Sequence, residues 1–212
     1  MTGVVAGVLR RLCRRFCFAI GFAAFTTIGC TAGAQERLIV ALGDSNTQGV
    51  GVAPQQAYPA RLEAILRRSG HDVRVANAGV LGDTFAGMLR RVNSSVPIGA
   101  SLVIVQGGYN DLQFGLPPAQ IIANLRAVLA AIGARGARAV VCGFFRPDWD
   151  AMGRGAAAMY QAAFIPGQDC YDPRYVGPDQ LHMSPVGHAI VAQRLARVLA
   201  PMLVPRRPQH RR

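Results

Sequence analysis

Ser45 stands in Gly43-Asp44-Ser45-Asn46, directly after a short apolar run. Far along the chain is Asp179-Gln180-Leu181-His182. A serine hydroxyl becomes a nucleophile when a base takes its proton, a third group orients that base, and fixed donors meet the oxyanion. A carboxylate three residues before a histidine reaches its ring across one turn. Asp179 would then fix the tautomer of His182 and leave the other ring nitrogen for Ser45. The donors on offer are the backbone N–H of Ser45, the backbone N–H of Gly82 and the side-chain amide of Asn110. Together these residues predict acyl transfer through an acyl-enzyme, with Ser45, His182 and Asp179 as the triad.

Other polar residues near these positions read as braces. Asp44, Asn77 and Asp111 sit in loops, where short side chains accept backbone N–H bonds. His188, in Val186-Gly187-His188, lies within a helical pattern with no carboxylate partner in sequence, and reads as structural. Tyr109, Phe144, Phe145 and Met183 flank strand ends, so pocket lining and core packing both remain open for them. Gly49-Val50-Gly51 is not a dinucleotide fingerprint: Pro54 stands where a third glycine belongs, and the glycines follow the strand too late. The four histidines and the cysteines show no metal-box spacing.

The elements that must carry these residues alternate between strand and helix. Leu38 to Leu42 is a buried-strand run ending in Gly43. A helix is predicted from Pro59 to about Ser69, with Leu62, Ile65 and Leu66 on one face. Val73 to Ala76 is a second strand, followed by a helix near Thr84 to Val92. Ser101 to Gln106 is a third strand. Pro118 to Ala134 carries the clearest helical stripe, from Ile121 to Ile132. Ala139 to Cys142 is a fourth strand. A last helix runs from Ser184-Pro185 to about Leu203, capped by Ser184. The stretch from Asp148 to Pro178 suggests one short helix around Ala156 to Ala162 and no clear fifth strand. Such a βαβ series predicts one α/β domain over residues 35–204, a mostly parallel sheet covered on both faces. Ligands bind beyond the carboxyl ends of such strands, where Ser45, Gly82 and Asn110 all fall.

Gly43-Asp44-Ser45, Gly82, Gly108-Tyr109-Asn110-Asp111 and Asp179-Gln180-Leu181-His182 resemble, in order, four conserved blocks of the SGNH, or GDSL-type, hydrolases. Gly43 to Gly51, followed by Tyr58-Pro59, and Asn77-Ala78-Gly79 with Gly82-Asp83-Thr84 resemble the arylesterase and acyl-CoA thioesterase I branch. The resemblance runs from about residue 37 to 203. It implies a flavodoxin-like three-layer α/β/α sandwich, no metal and no cofactor. It also implies Ser45 as nucleophile, His182 as base and then acid, Asp179 as its orienter, and Ser45, Gly82 and Asn110 as the oxyanion hole. Three features depart from the pattern. Asn46 stands where Leu is usual, Tyr109 fills the variable place before Asn110, and the segment before Asp179 is short.

Composition narrows the setting. Of 212 residues, 51% are hydrophobic, which suits a folded domain rather than a disordered chain. The net charge is +12 and every basic residue is Arg. Eight of the 23 arginines lie at the two ends, leaving 15 against 11 acids, so no nucleic-acid surface is expected. Residues 1–34 have the layout of a secretory signal peptide: arginines at 10, 11, 14 and 15, an uncharged stretch from Phe16 to Gly29, then Ala32-Gly33-Ala34. An uncleaved membrane anchor is the rival reading. Residues 205–212 read as a basic, disordered tail. The expected product is a periplasmic or secreted esterase or thioesterase acting on small or medium acyl esters, with no membrane span after cleavage. A carbohydrate or cell-wall O-deacetylase and a non-catalytic binding module are the alternatives. Cys142 and Cys170 have two readings: a disulfide in an oxidising compartment, or a buried strand residue and a free loop thiol.

Overall fold

A computed structural model describes residues 36–143 and 146–203. The proposed leader 1–34, the tail 205–212, and both Phe144 and Phe145 lie outside the described residues. The chain runs β1 (Arg37–Gly43), α1 (Ser45–Gln48), α2 (Tyr58–Arg68), β2 (Val73–Gly79), α3 (Phe85–Ser95), β3 (Leu102–Gln106) and α4 (Tyr109–Gln113). It continues with α5 (Pro118–Ala134), β4 (Arg138–Cys142), α6 (Pro147–Met159), β5 (Ala163–Ile165), α7 (Gly167–Cys170) and α8 (Pro185–Leu203).

All five strands are parallel, in the order β2-β1-β3-β4-β5. This is the flavodoxin-like order, and its reversal of direction falls between β1 and β3. Successive residues of a strand face opposite sides, so each strand feeds two cores. Val40, Leu42, Val103, Val105 and Val141 pack with α3, α5 and α6. Ile39, Ala41, Leu102, Ile104 and Val140 pack with α2 and α8. A strand buried on both faces has no polar alternation, which is why these runs read as continuously apolar.

The helices follow their apolar stripes. On α3, Phe85, Met88 and Val92 are buried, and Thr84 caps the helix by accepting the N–H of Gly87 at 3.1 Å. On α5, Ile121, Leu125, Val128, Leu129 and Ile132 are buried. Ser184 caps α8 by accepting the N–H of Gly187 at 3.2 Å. Among the described residues, no helix is long and apolar enough to cross a membrane.

Two expectations need correction. A fifth strand does exist: Ala163, Phe164 and Ile165 pair with Val140, Val141 and Cys142. The helix expected at Ala156 to Ala162 instead spans Pro147–Met159 and buries Trp149, Ala156 and Ala157. Cys142 and Cys170 form a disulfide, with Cα atoms 5.8 Å apart, joining the end of β4 to α7. That settles the choice between the two cysteine readings.

Candidate active site

The site is assembled where the sheet changes direction. Gly43, the last residue of β1, pairs with Gln106, the last of β3. A Cβ on Gly43 would lie 2.7 Å from the carbonyl oxygen of Gln106, so only glycine lets the strands close there. The next residue, Asp44, caps α1: its carboxylate accepts the N–H of Asn46 at 3.0 Å. Ser45 is thus held at the first position of a helical turn, beyond the strand ends. Thr47 donates its hydroxyl to Gln106 Oε1 at 2.6 Å, and it lies 3.0 Å from the Tyr58 hydroxyl. The turn that carries Ser45 is therefore tied to both β3 and α2.

Asp44 is buried, and burial pushes its carboxyl up to about 6. The N–H of Asn46, the Gln106 side chain and the neighbouring His182 oppose that rise. Asp44 therefore acts as a brace, as do two residues expected in loops that instead lie in regular elements, Asn77 near the end of β2 and Asp111 in α4. Asn77 Oδ1 accepts the N–H of Gly79 at 3.0 Å. Asp111 accepts the N–H of Phe85 at 3.1 Å and fixes the start of α3.

Gly82 adopts φ +73°, and no atom lies within 4 Å of a Cβ placed there. The demand at this position is conformational: the turn after β2 needs left-handed backbone. The Asn110 side-chain amide donates to the carbonyl of Asp83 at 2.8 Å. An amide NH2 has two hydrogens, so this bond fixes the group and leaves one donor over. Asp179 Oδ2 lies 2.6 Å from His182 Nδ1, and Asp179 Oδ1 accepts the N–H groups of His182 and Leu181 at 3.0 and 3.1 Å. The His182 side-chain bond, followed by those backbone bonds, lowers the Asp179 carboxyl to about 2. Its side chain is 49% exposed while that of His182 is 13% exposed, so the carboxylate faces water and the imidazole faces inward.

Ser45, Gly82, Asn110 and His182 line one cavity of about 570 Å³. Asp179 reaches it through His182. Tyr109 lines the cavity as well. Met183 does not. It is 1% exposed and belongs to the core beneath α8. It pairs with Val176 in an antiparallel bridge, so it is extended and points away from the side taken by His182. Phe144 and Phe145 lie outside the described residues. His188 is buried against α2, where its Nδ1 accepts the N–H of Tyr58 at 3.2 Å, and burial lowers its pKa to about 4.

Several contributors were not visible in the sequence. Arg91 donates to the carbonyls of Gly43 at 3.0 Å and Ala78 at 2.8 Å, and pairs with Asp83 at 2.7 Å. One guanidinium thus joins the loops after β1 and β2, and nothing in the sequence distinguishes it from the adjacent Arg90. Trp149 and Tyr171 join Tyr109 along the cavity.

Residues 41–190 match the GDSL-like lipase/acylhydrolase family. The chain belongs to this family. It is 36% identical over 117 residues to an esterase, TesA, of Pseudomonas aeruginosa, covering 55% of this chain and 57% of that protein. It is 32% identical over 121 residues to an arylesterase of Vibrio mimicus, covering 55% and 58%. The matched stretches therefore span little more than half of these relatives. Among solved structures, TesA superposes with a TM-score of 0.72 at 26% identity, covering 79% of this chain and all of that one (100%). AlinE4, an SGNH-hydrolase family esterase, superposes at 0.63 with 30% identity, covering 81% and 99%.

Proposed function

We propose that this family member is an exported serine esterase that hydrolyses small or medium acyl esters through an acyl-enzyme on Ser45. The observation that carries this reading is the 2.6 Å pairing of Asp179 with His182 beside a cavity lined by Ser45, Gly82 and Asn110. His182 Nε2 takes the proton of Ser45 as Oγ bonds to the acyl carbon. The carbonyl oxygen, now negative, meets the N–H groups of Ser45 and Gly82 and the remaining amide hydrogen of Asn110. His182 then gives the proton to the departing alcohol or thiol oxygen or sulfur. A water molecule, deprotonated by the same nitrogen, cleaves the acyl-enzyme and restores Ser45. Asp179 stays ionised at neutral pH and holds the imidazolium that forms.

Export is supported by the order of residues in 1–34 and by the Cys142–Cys170 disulfide, which persists in oxidising compartments. Outside the cytoplasm, acyl-CoA is a poor candidate for the natural substrate. The names of the relatives, esterase and arylesterase, agree with ester cleavage.

A second reading, a carbohydrate O-deacetylase, gains from one observation. Tyr109, Trp149 and Tyr171 line the same cavity, and aromatic faces suit sugar rings. A panel of p-nitrophenyl esters of increasing acyl length, run beside an acetylated glycan, separates the two. Ser45→Ala should remove nearly all turnover with the fold intact, and a fluorophosphonate probe should label Ser45 alone. Wild-type turnover by Ser45→Ala would sink both readings.

A further inference from the structure

We propose that Asn46 is a positioning residue whose side-chain carbonyl sets the approach of His182 to Ser45; this rests on the triad reading above. Asn46 Oδ1 accepts the N–H of Met183 at 2.9 Å, across 137 positions of sequence, and both residues are buried. Asn46 is the residue after the nucleophile and Met183 the residue after the base. The bond therefore joins the two catalytic segments one residue from each reacting side chain.

Apart from the Tyr171 hydroxyl, which donates to the Leu181 carbonyl at 3.0 Å, the base segment is otherwise shaped from within. Gly177 N–H donates to the His182 carbonyl at 2.7 Å, and Ser184 N–H to the Tyr175 carbonyl at 2.9 Å. Asp179 adds its bonds to Leu181 and His182. These contacts fix the form of the loop but not its distance from α1. On the other side, Asn46 is itself fixed, because its N–H donates to Asp44. Asp44, Asn46 and Met183 thus form a relay from the end of β1 to the histidine loop. The amide oxygen is well suited to this place. It accepts without charge, next to an Asp44 carboxyl that burial already disfavours as an anion. An apolar residue of the same size would leave the buried N–H of Met183 without an acceptor, and the loop would shift to find one. A shift of about 1 Å between reacting groups can cost on the order of 10²-fold in rate.

The test compares Asn46→Leu, which removes the acceptor, with Asn46→Asp, which keeps it. Ser45→Ala serves as the control, in full-length enzyme with a p-nitrophenyl acyl ester. Asn46→Leu should lower kcat roughly 10- to 100-fold with KM within about twofold, and should slow fluorophosphonate labelling in parallel. Asn46→Asp, measured on the alkaline plateau, should stay within about threefold of wild type. Its acid limb should move to higher pH, because a new carboxylate near His182 favours the imidazolium. If Asn46→Leu does not fold, Asn46→Ser, too short to reach Met183, takes its place with the same expected loss. A wild-type kcat in the acceptor-free variant overturns the proposal, and so does an equal loss in Asn46→Asp. If those results appear while Ser45→Ala is inactive, the triad reading stands and only the role of Asn46 fails. An active Ser45→Ala removes both.

Discussion

Asp179 holds His182 by two bonds: one carboxylate oxygen accepts its backbone N–H at 3.0 Å, and the other lies 2.6 Å from Nδ1. The same residue therefore shapes the loop and sets the ring's tautomer. Asp179→Asn keeps an oxygen for the backbone bonds but offers Nδ1 an amide in place of a carboxylate. The ring can then carry its proton on the wrong nitrogen. Turnover should fall roughly 10⁴-fold, the scale for neutralising the carboxylate of such a triad, with thermal stability nearly unchanged. Asp179→Ala should lose turnover and, in addition, lower the melting temperature, because Leu181 and His182 lose their acceptor. Steady-state kinetics and calorimetry on both variants check this.

Arg91 makes a different kind of contribution, which is architectural. Its side chain is 20% exposed and that of its partner Asp83 only 8%. Arg91→Met would leave a nearly buried carboxylate without its cation and take one donor each from the carbonyls of Gly43 and Ala78, of which Gly43 keeps the N–H of Val80 at 3.0 Å. The expected loss is about 2–3 kcal/mol in urea unfolding, less than for a fully buried pair because some exposure remains. Turnover should fall as well, since Asp83 also accepts the Asn110 amide through its carbonyl. An unchanged unfolding midpoint would show that the three-way tie is dispensable.

Much of this arrangement was legible in the residues. The runs of β1, β3 and β4 were apolar without alternation, and the glycines at 43, 82 and 108 marked loops beyond the strand ends. The Asp179–His182 spacing also pointed to a bonded pair. What stayed hidden had physical causes. Three residues, Ala163 to Ile165, are too few for a period to register, and their strand exists because β4 offers a free edge. Pro147, Asp148 and Asp150 are good signals for a helix start, but Gly153 and Gly155 interrupt the apolar stripe that follows. Met183 follows His182 in sequence yet faces the core, since an extended chain turns successive side chains to opposite sides. The reach of Arg91 depends on tertiary placement, which no local pattern encodes.

Two buried groups should give opposing pH dependences. Asp44 ionises near 3.8 when unfolded and about 6 when folded. Between those values the folded chain holds the extra proton, so stability falls as pH rises, by about 3 kcal/mol in all. His188 gains its proton below about 6.5 when unfolded and only near 4 when folded. Its contribution therefore falls as pH drops through the same window, again by about 3 kcal/mol. The two slopes nearly cancel from pH 4 to 6. Asp44→Asn removes the first and leaves the second, so the variant should lose stability steadily on acidification while the native chain stays almost level. Urea unfolding at pH 4, 5 and 6 reads the difference, and parallel curves for the two proteins would contradict the assignment.

The disulfide links stability to the cavity wall. Cys142 and Cys170 are 28 positions apart, and closing a loop of that size restricts the unfolded chain by about 3–4 kcal/mol on a chain-entropy model. The residues that follow each cysteine, Gly143 and Tyr171, both line the cavity. Tyr171 also donates its hydroxyl to the carbonyl of Leu181, next to His182. Opening the bridge should therefore act at two levels. Cys142→Ala with Cys170→Ala should unfold at lower urea, by an amount approaching that figure. At a temperature where it remains folded, its KM should rise more than its kcat falls, because the wall that holds substrate loosens while Asp179 and His182 keep their own two bonds. A reductant should reproduce both changes in the native protein and neither in the double variant. Identical unfolding curves with and without reductant would mean that the bridge contributes nothing to the fold.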